Sequence, residues 1–130
     1  FLKNGFQVYQ TEVDDRGIDF ATVLGDRLLE IQVKSIRLKT TSYVFFTKTD
    51  KFFIRKSLYI CLVLFSEDLN PNLYLIPSLE LHADNGLFVF RGYGKEGQKS
   101  KPEWGINLNK KHLDKLKKYA IDLAMIKLKI

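Results

Sequence analysis

The sequence has one cysteine, two histidines and three prolines in 130 residues, and its longest apolar run, Leu58 to Phe65, is only strand-sized. The lone Cys61 can build neither a disulfide framework nor a zinc site, and in the middle of that run it reads as a small hydrophobe. The expected compartment is therefore reducing, the cytoplasm. His82 and His112 are far apart with no cysteine near either, which argues against zinc. Because a helical membrane span needs about 18 apolar residues, the expectation is a soluble chain with no membrane partner. No internal repeat or low-complexity tract is present, nor any G-x-x-x-x-G-K-[ST], G-x-S-x-G or H-E-x-x-H motif, which removes three common chemistries.

What remains is enough to fold. Hydrophobic residues make up 45% of the chain and aromatics 13%, and a length of 130 residues suits one domain spanning the whole of it. The net charge of +6 favours a polyanionic partner, although the same surplus is common in proteins that bind none. The opening "FLKNGF" has the form of a last helical turn stopped by Asn4-Gly5, so part of an N-terminal helix is expected upstream of Phe1.

Extended segments follow at "FQVYQTEV" (Phe6 to Val13), on both sides of Gly25-Asp26, and at "SYVFFTK" (Ser42 to Lys48). "DKFFIRK" (Asp50 to Lys56) suggests a short helix capped by Thr49 or Asp50. "SLYICLVLFS" (Ser57 to Ser66) is apolar on both faces, as a central, partly parallel strand requires. "NLYLIPS" and "GLFVFRGY" are further strands, and "GYGKEGQKSKPEWG" is a Gly- and Lys-rich loop. From Asn109, Leu113, Leu116, Ala120, Leu123 and Met125 or Ile126 recur at the helical period and predict one helix. The fold class is α/β or α+β with a mixed sheet.

The stretch "GIDFATVLGDRLLEIQVKS", Gly17 to Ser35, carries the chemistry. Gly25-Asp26 is a two-residue hairpin signal, since glycine accepts the positive φ that such turns need. With Leu24 opposite Arg27, Asp19 falls across from Gln32 and Ala21 across from Glu30, while Lys34 lies two residues beyond Gln32 on the same face. The opposite face collects Ile18, Phe20, Leu29, Ile31 and Val33, with Thr22. A carboxylate and an amide oxygen are hard ligands suited to Mg²⁺, and an adjacent ammonium can orient a water or offset charge on a phosphate. Phosphodiester hydrolysis uses all three groups. The same spacing also fits a surface hydrogen bond or ion pair on a solvated sheet face.

"GIDF", a short hairpin and "EIQVKS" together resemble the PD-(D/E)XK nuclease superfamily, the restriction-endonuclease-like fold. The resemblance covers roughly Phe1 to Phe65 and follows the family order of helix, three antiparallel strands, helix and strand. "YLIPSLEL" is similar to a strand-then-helix segment of uncharacterised microbial members. The resemblance implies a mixed sheet flanked by helices and a Mg²⁺- or Mn²⁺-dependent nuclease acting on nucleic acid, DNA ahead of RNA. By position, Asp19 and Gln32 become metal ligands and Lys34 the catalytic lysine, with the Val33 carbonyl a further ligand. The family's first-helix Glu would lie upstream of Phe1, with Glu12 a weak substitute. Ile18 stands where the family has Pro, and Gln32 where it has an acid. Gln-x-Lys also occurs in active members, including the transposon end-cleaving endonuclease subunit. Gln32 removes one negative charge from the site, and Glu30 on the same face is a candidate to compensate.

Other residues invite weaker readings. Ser35 can touch a phosphate or satisfy backbone. Arg37, Lys39, Lys48, Lys51, Arg55 and Lys56 can line a nucleic-acid backbone or form an ordinary solvated face. Arg91, Lys95, Lys99, Lys101 and Trp104 can grip a strand by stacking, or Trp104 can pack on the last helix. Phe45, Phe46, Phe52 and Phe53 exceed what one small core readily buries, which raises a homodimer. The alternative to an enzyme is a non-cleaving nucleic-acid-binding or assembly module on the same fold.

Overall fold

The computed structural model describes residues 7–10, 19–39, 41–47, 53–66, 70–92 and 102–129. Its strands are β1 (Gln7–Gln10), β2 (Phe20–Leu24), β3 (Arg27–Arg37), β4 (Tyr43–Thr47), β5 (Leu58–Phe65), β6 (Asn72–Pro77), β7 (Phe88–Arg91) and β8 (Glu103–Asn107). Two short helices follow, α1 (Lys110–Leu113) and α2 (Ile121–Lys129), and 3₁₀ turns cover Ser78–His82 and Asp114–Tyr119. The strands form a five-stranded sheet in the order β1-β2-β3-β5-β6 and a three-stranded sheet in the order β4-β8-β7. The protein is a mixed α+β fold, as the sequence pattern requires.

Alternation along β3 decides how the layers stack. Leu29, Ile31 and Val33 turn to one face of the large sheet with Tyr59, Cys61 and Leu75, where Met125 and Leu128 of α2 cover them. Ile36 turns to the other face with Leu58, Ile60, Leu62 and Leu64, against Val44, Phe46, Trp104 and Ile106 of the small sheet. A helix thus covers one face and a second sheet the other. Leu58, Ile60 and Leu62 are 0% exposed, and each such side chain stabilises the fold by about 1.5–3 kcal/mol. Cys61 is among the buried residues of β5, and burial pushes its thiol pKa up, so it acts as a hydrophobe.

The β2–β3 hairpin keeps the expected register from Leu24↔Arg27 to Phe20↔Ile31. Gly25 has φ +60°, while Asp26 is not left-handed, the pattern of a type II′ turn. β5 pairs parallel to β3 from Glu30↔Leu58 to Arg37↔Phe65 and antiparallel to β6 on its other edge. The central strand therefore sits where its unbroken apolar run places it.

Three expectations need correction. Phe53 to Arg55 are not helical, and residues 50–52 of that segment lie outside the described ones. Arg55 is held outside a helix by Ser78, whose hydroxyl takes its N–H at 2.9 Å and donates to its carbonyl at 2.8 Å. "EWGIN" is a strand, β8, although its first three residues fell in the Gly- and Lys-rich segment expected to be loop. Gly105 is required there, because a Cβ would collide with the ring and hydroxyl of Tyr43. The last helix is broken at Ala120, whose φ of −50° and ψ of 138° are extended and which bridges to Tyr74 beside β6. This break resets the helical phase, so Met125 and Leu128 are buried while Leu123 and Ile126 are exposed. Asn109 does precede α1, but its backbone carbonyl, not its side chain, accepts the N–H groups of His112 and Leu113.

Candidate active site

β2 starts at Phe20, and Asp19 stands just before it in a bend. The backbone N–H of Asp19 donates to the Ile31 carbonyl at 2.7 Å, although Phe20 is the residue registered with Ile31. Two residues on one strand thus share one on the other, a bulge-like step that re-aims the side chain. The Asp19 carboxylate turns onto β3, where its Oδ2 accepts the Val33 N–H at 2.6 Å. Asp19 therefore does not simply face Gln32 across a ladder. It brackets Gln32, bonded to the residues on either side.

In an extended strand the N–H and C=O of one residue point to the same side. The Val33 carbonyl accordingly turns toward the side that Asp19 occupies. Val33 itself is half-buried, its side chain against the α2 layer. Gln32 projects to the opposite face, and its Oε1 is buried without a hydrogen-bond partner among the described residues. A desolvated acceptor with no donor costs about 1–3 kcal/mol, and a cation is one species that would offset this cost. A carboxylate offers about four acceptor positions, of which the Val33 N–H uses one. A carboxylate, an amide oxygen and a backbone carbonyl are the kinds of oxygen donor that Mg²⁺ or Mn²⁺ takes, ions that bind through one or two carboxylates and retain waters.

Lys34 follows on the same strand, half-buried, its Nζ 5.5 Å from the centre of the Phe46 ring. Attraction to the ring face steadies the ammonium without neutralising it. Gln32, Lys34 and Ser35 form one wall of an open cleft of about 490 Å³, and Tyr43, Phe45 and Thr47 of β4 form the other. The cleft lies where the two sheets part. Its described lining carries one cation, Lys34, and no carboxylate. Ser35 is exposed at this wall, so a phosphate contact is open to it.

Glu30 is not part of this constellation. Its carboxylate is buried, receives Arg55 Nε at 3.0 Å and Nη2 at 3.1 Å, and accepts the Ser57 hydroxyl. Glu30 and Arg55 are thus bonded to each other, where the sequence suggested a compensating carboxylate and a nucleic-acid contact. Glu12 lies outside the described residues, as do Lys48, Lys51, Lys95, Lys99 and Lys101. Among the described residues no three His, Cys, Asp or Glu side chains come together as a metal site; the residues that could hold a metal here are Asp19, Gln32 and, through its carbonyl, Val33.

The remaining weaker readings resolve individually. Trp104 is buried between the sheets, tilted against Phe90 at 4.6 Å, and does not present a stacking surface in a loop. Arg91 instead lies over Tyr43, 4.3 Å from the ring centre. Phe46 is 3% exposed and belongs to the core, whereas Phe45 at 52% and Phe53 at 44% face out; Phe52 lies outside the described residues. The β4 wall of the cleft escaped sequence reading. Its signal was the alternation in "YVFF", with Val44 and Phe46 inward and Tyr43 and Phe45 outward.

Among the described residues no helix is long and apolar enough to cross a membrane. Compared with models of known protein families and with the curated proteins, the chain matches none.

Proposed function

We propose that the protein is a metal-dependent nuclease of the PD-(D/E)XK type, hydrolysing phosphodiester bonds of nucleic acid, DNA ahead of RNA. One observation carries the reading: Asp19 leaves the hairpin ladder to bond the N–H of Val33, the residue between Lys34 and Gln32, whose buried oxygen has no hydrogen-bond partner among the described residues. Asp19, Gln32 and the Val33 carbonyl would hold Mg²⁺ or Mn²⁺. When bound, the ion supplies Lewis acidity and lowers the pKa of a coordinated water.

The chain's own part follows from position. Lys34 can hydrogen-bond the attacking water and offset the negative charge that builds on the phosphate. Water oxygen forms the new bond to phosphorus and gives up its proton to solvent, the bond to the departing sugar oxygen breaks, and that oxygen takes up a proton from solvent. Phe46 and the β4 wall keep the ammonium at the cleft rather than free in solvent, which limits the cost of orienting it.

The test is cleavage of plasmid and oligonucleotide substrates in Mg²⁺ or Mn²⁺. Lys34→Ala should lower the rate at least about 100-fold, and Asp19→Ala should remove both cleavage and Mn²⁺ binding by calorimetry, with an unchanged circular dichroism spectrum. Cleavage by Lys34→Ala at the parent rate would remove the lysine from the mechanism. The Glu30–Arg55 pair favours a second reading, because it leaves a single described carboxylate at the site. On that reading the domain binds nucleic acid without cutting it, and binding would be salt-sensitive but indifferent to millimolar metal.

A further inference from the structure

The outer face of the small sheet holds an aromatic assembly beside the cleft. Phe45 is 52% exposed, and a solitary exposed phenylalanine is unremarkable. This one is supported on all sides that matter. Its neighbour Tyr43 is stacked with it, the ring centres 6.4 Å apart and the planes at 20°. Tyr43 in turn donates its hydroxyl to Glu103 at 2.7 Å, carries the Arg91 guanidinium 4.3 Å from its ring centre and lies against the bare backbone of Gly105. The order of the platform is set before any ligand arrives, so little conformational entropy is lost on binding.

Its position sets the ligand class. Phe45 lines the same cleft as Gln32 and Lys34, and Arg37 and Lys39 are exposed where β3 ends. A volume of about 490 Å³ lies within the range of small-ligand sites and suits a nucleotide unit. In a duplex the base faces are covered by neighbouring pairs, and only an unpaired base offers one to an aromatic ring. The geometry points to single-stranded nucleic acid as the ligand of the cleft, with one unpaired base stacked on Phe45 and the adjoining phosphate directed to Lys34. This deepens the nuclease reading and rests on it only for the cleft being the substrate site.

The experiment is fluorescence anisotropy in EDTA with three labelled probes: a single-stranded oligonucleotide, its duplex, and an abasic strand of equal length. The single strand should bind more tightly than either of the others. Phe45→Ala should weaken it by about 5- to 150-fold, the worth of one stacked base, and leave the abasic strand unchanged, while Phe45→Trp should retain binding. Equal losses for base-bearing and abasic strands, unchanged single-strand affinity, or preference for the duplex would overturn the proposal. Because binding is read without metal, Phe45-dependent binding without cleavage in Mg²⁺ would sink the nuclease reading alone. Cleavage with Phe45-independent binding would sink the stacking proposal alone.

Discussion

Replacing Arg55 with alanine should cost the fold about 3 kcal/mol, even though the residue lies outside the proposed site. Glu30 and Arg55 have side chains only 7% and 13% exposed, respectively. The guanidinium supplies two hydrogen bonds to the carboxylate, at 3.0 and 3.1 Å, and Ser57 supplies one more. Breaking a buried pair from one side typically costs about 3–5 kcal/mol, because it leaves a charge uncompensated. The residual access of water to Arg55 and the retained Ser57 hydroxyl argue for the lower end. With an m-value of about 1–3 kcal/mol/M in urea, the unfolding midpoint should fall by about 1–3 M. The fluorescence of Trp104, the one tryptophan and a buried one, reports the transition. The double variant Glu30→Met/Arg55→Met removes both charges and should recover most of the loss, to within about 1 kcal/mol of the parent. A midpoint shift under about 0.3 M for Arg55→Ala, or a double variant no better than the single one, would refute the reasoning.

Two other substitutions test separate parts of the structure. Gly25→Val should destabilise by about 1–2 kcal/mol in the same urea assay through backbone strain alone, because Gly25 has φ +60° and open space where a Cβ would go; Gly25→Asn should cost less. Burial, with the nearby Glu80 carboxylate, pushes the Tyr119 pKa up to about 12. The unfolded chain releases this proton near pH 10 while the folded one keeps it, so stability should fall from about pH 10 to pH 12. Tyr119→Phe should flatten that alkaline limb in urea midpoints measured across the range, and an unchanged slope would remove Tyr119 as its cause.

Much of the framework was legible because its signals are local. Gly25-Asp26 and the alternation around it fix the hairpin register, and the doubly apolar "LYICLVLF" fixes the central strand. β8 and the helix break were illegible for a common reason, since each depends on a partner distant in sequence. Gly105 weakens a strand by itself and is explained only by the Tyr43 ring lying on it. Ala120 continues a helix by propensity and leaves it only because Tyr74 bridges to it.

For the candidate site the division is sharper. Gly25-Asp26 and the alternation around it place Asp19 near Gln32 and Lys34 along one end of the hairpin, but the register they predict stops at Phe20, and a bulge-like step turns the Asp19 carboxylate onto the Val33 N–H. What surrounds them depends on elements packed from elsewhere in the chain. Glu30 has the same strand parity as Gln32 and Lys34, yet Arg55 and Ser57, brought in by the parallel pairing of β5, take its carboxylate out of reach. Gln32 has no hydrogen-bond partner for its buried oxygen among the described residues, and Phe45 lines a cleft beside β3, because the small sheet packs over the same face of the large one. Local sequence encodes which face a side chain takes, whereas the groups that satisfy or strand it arrive from elements packed across that face.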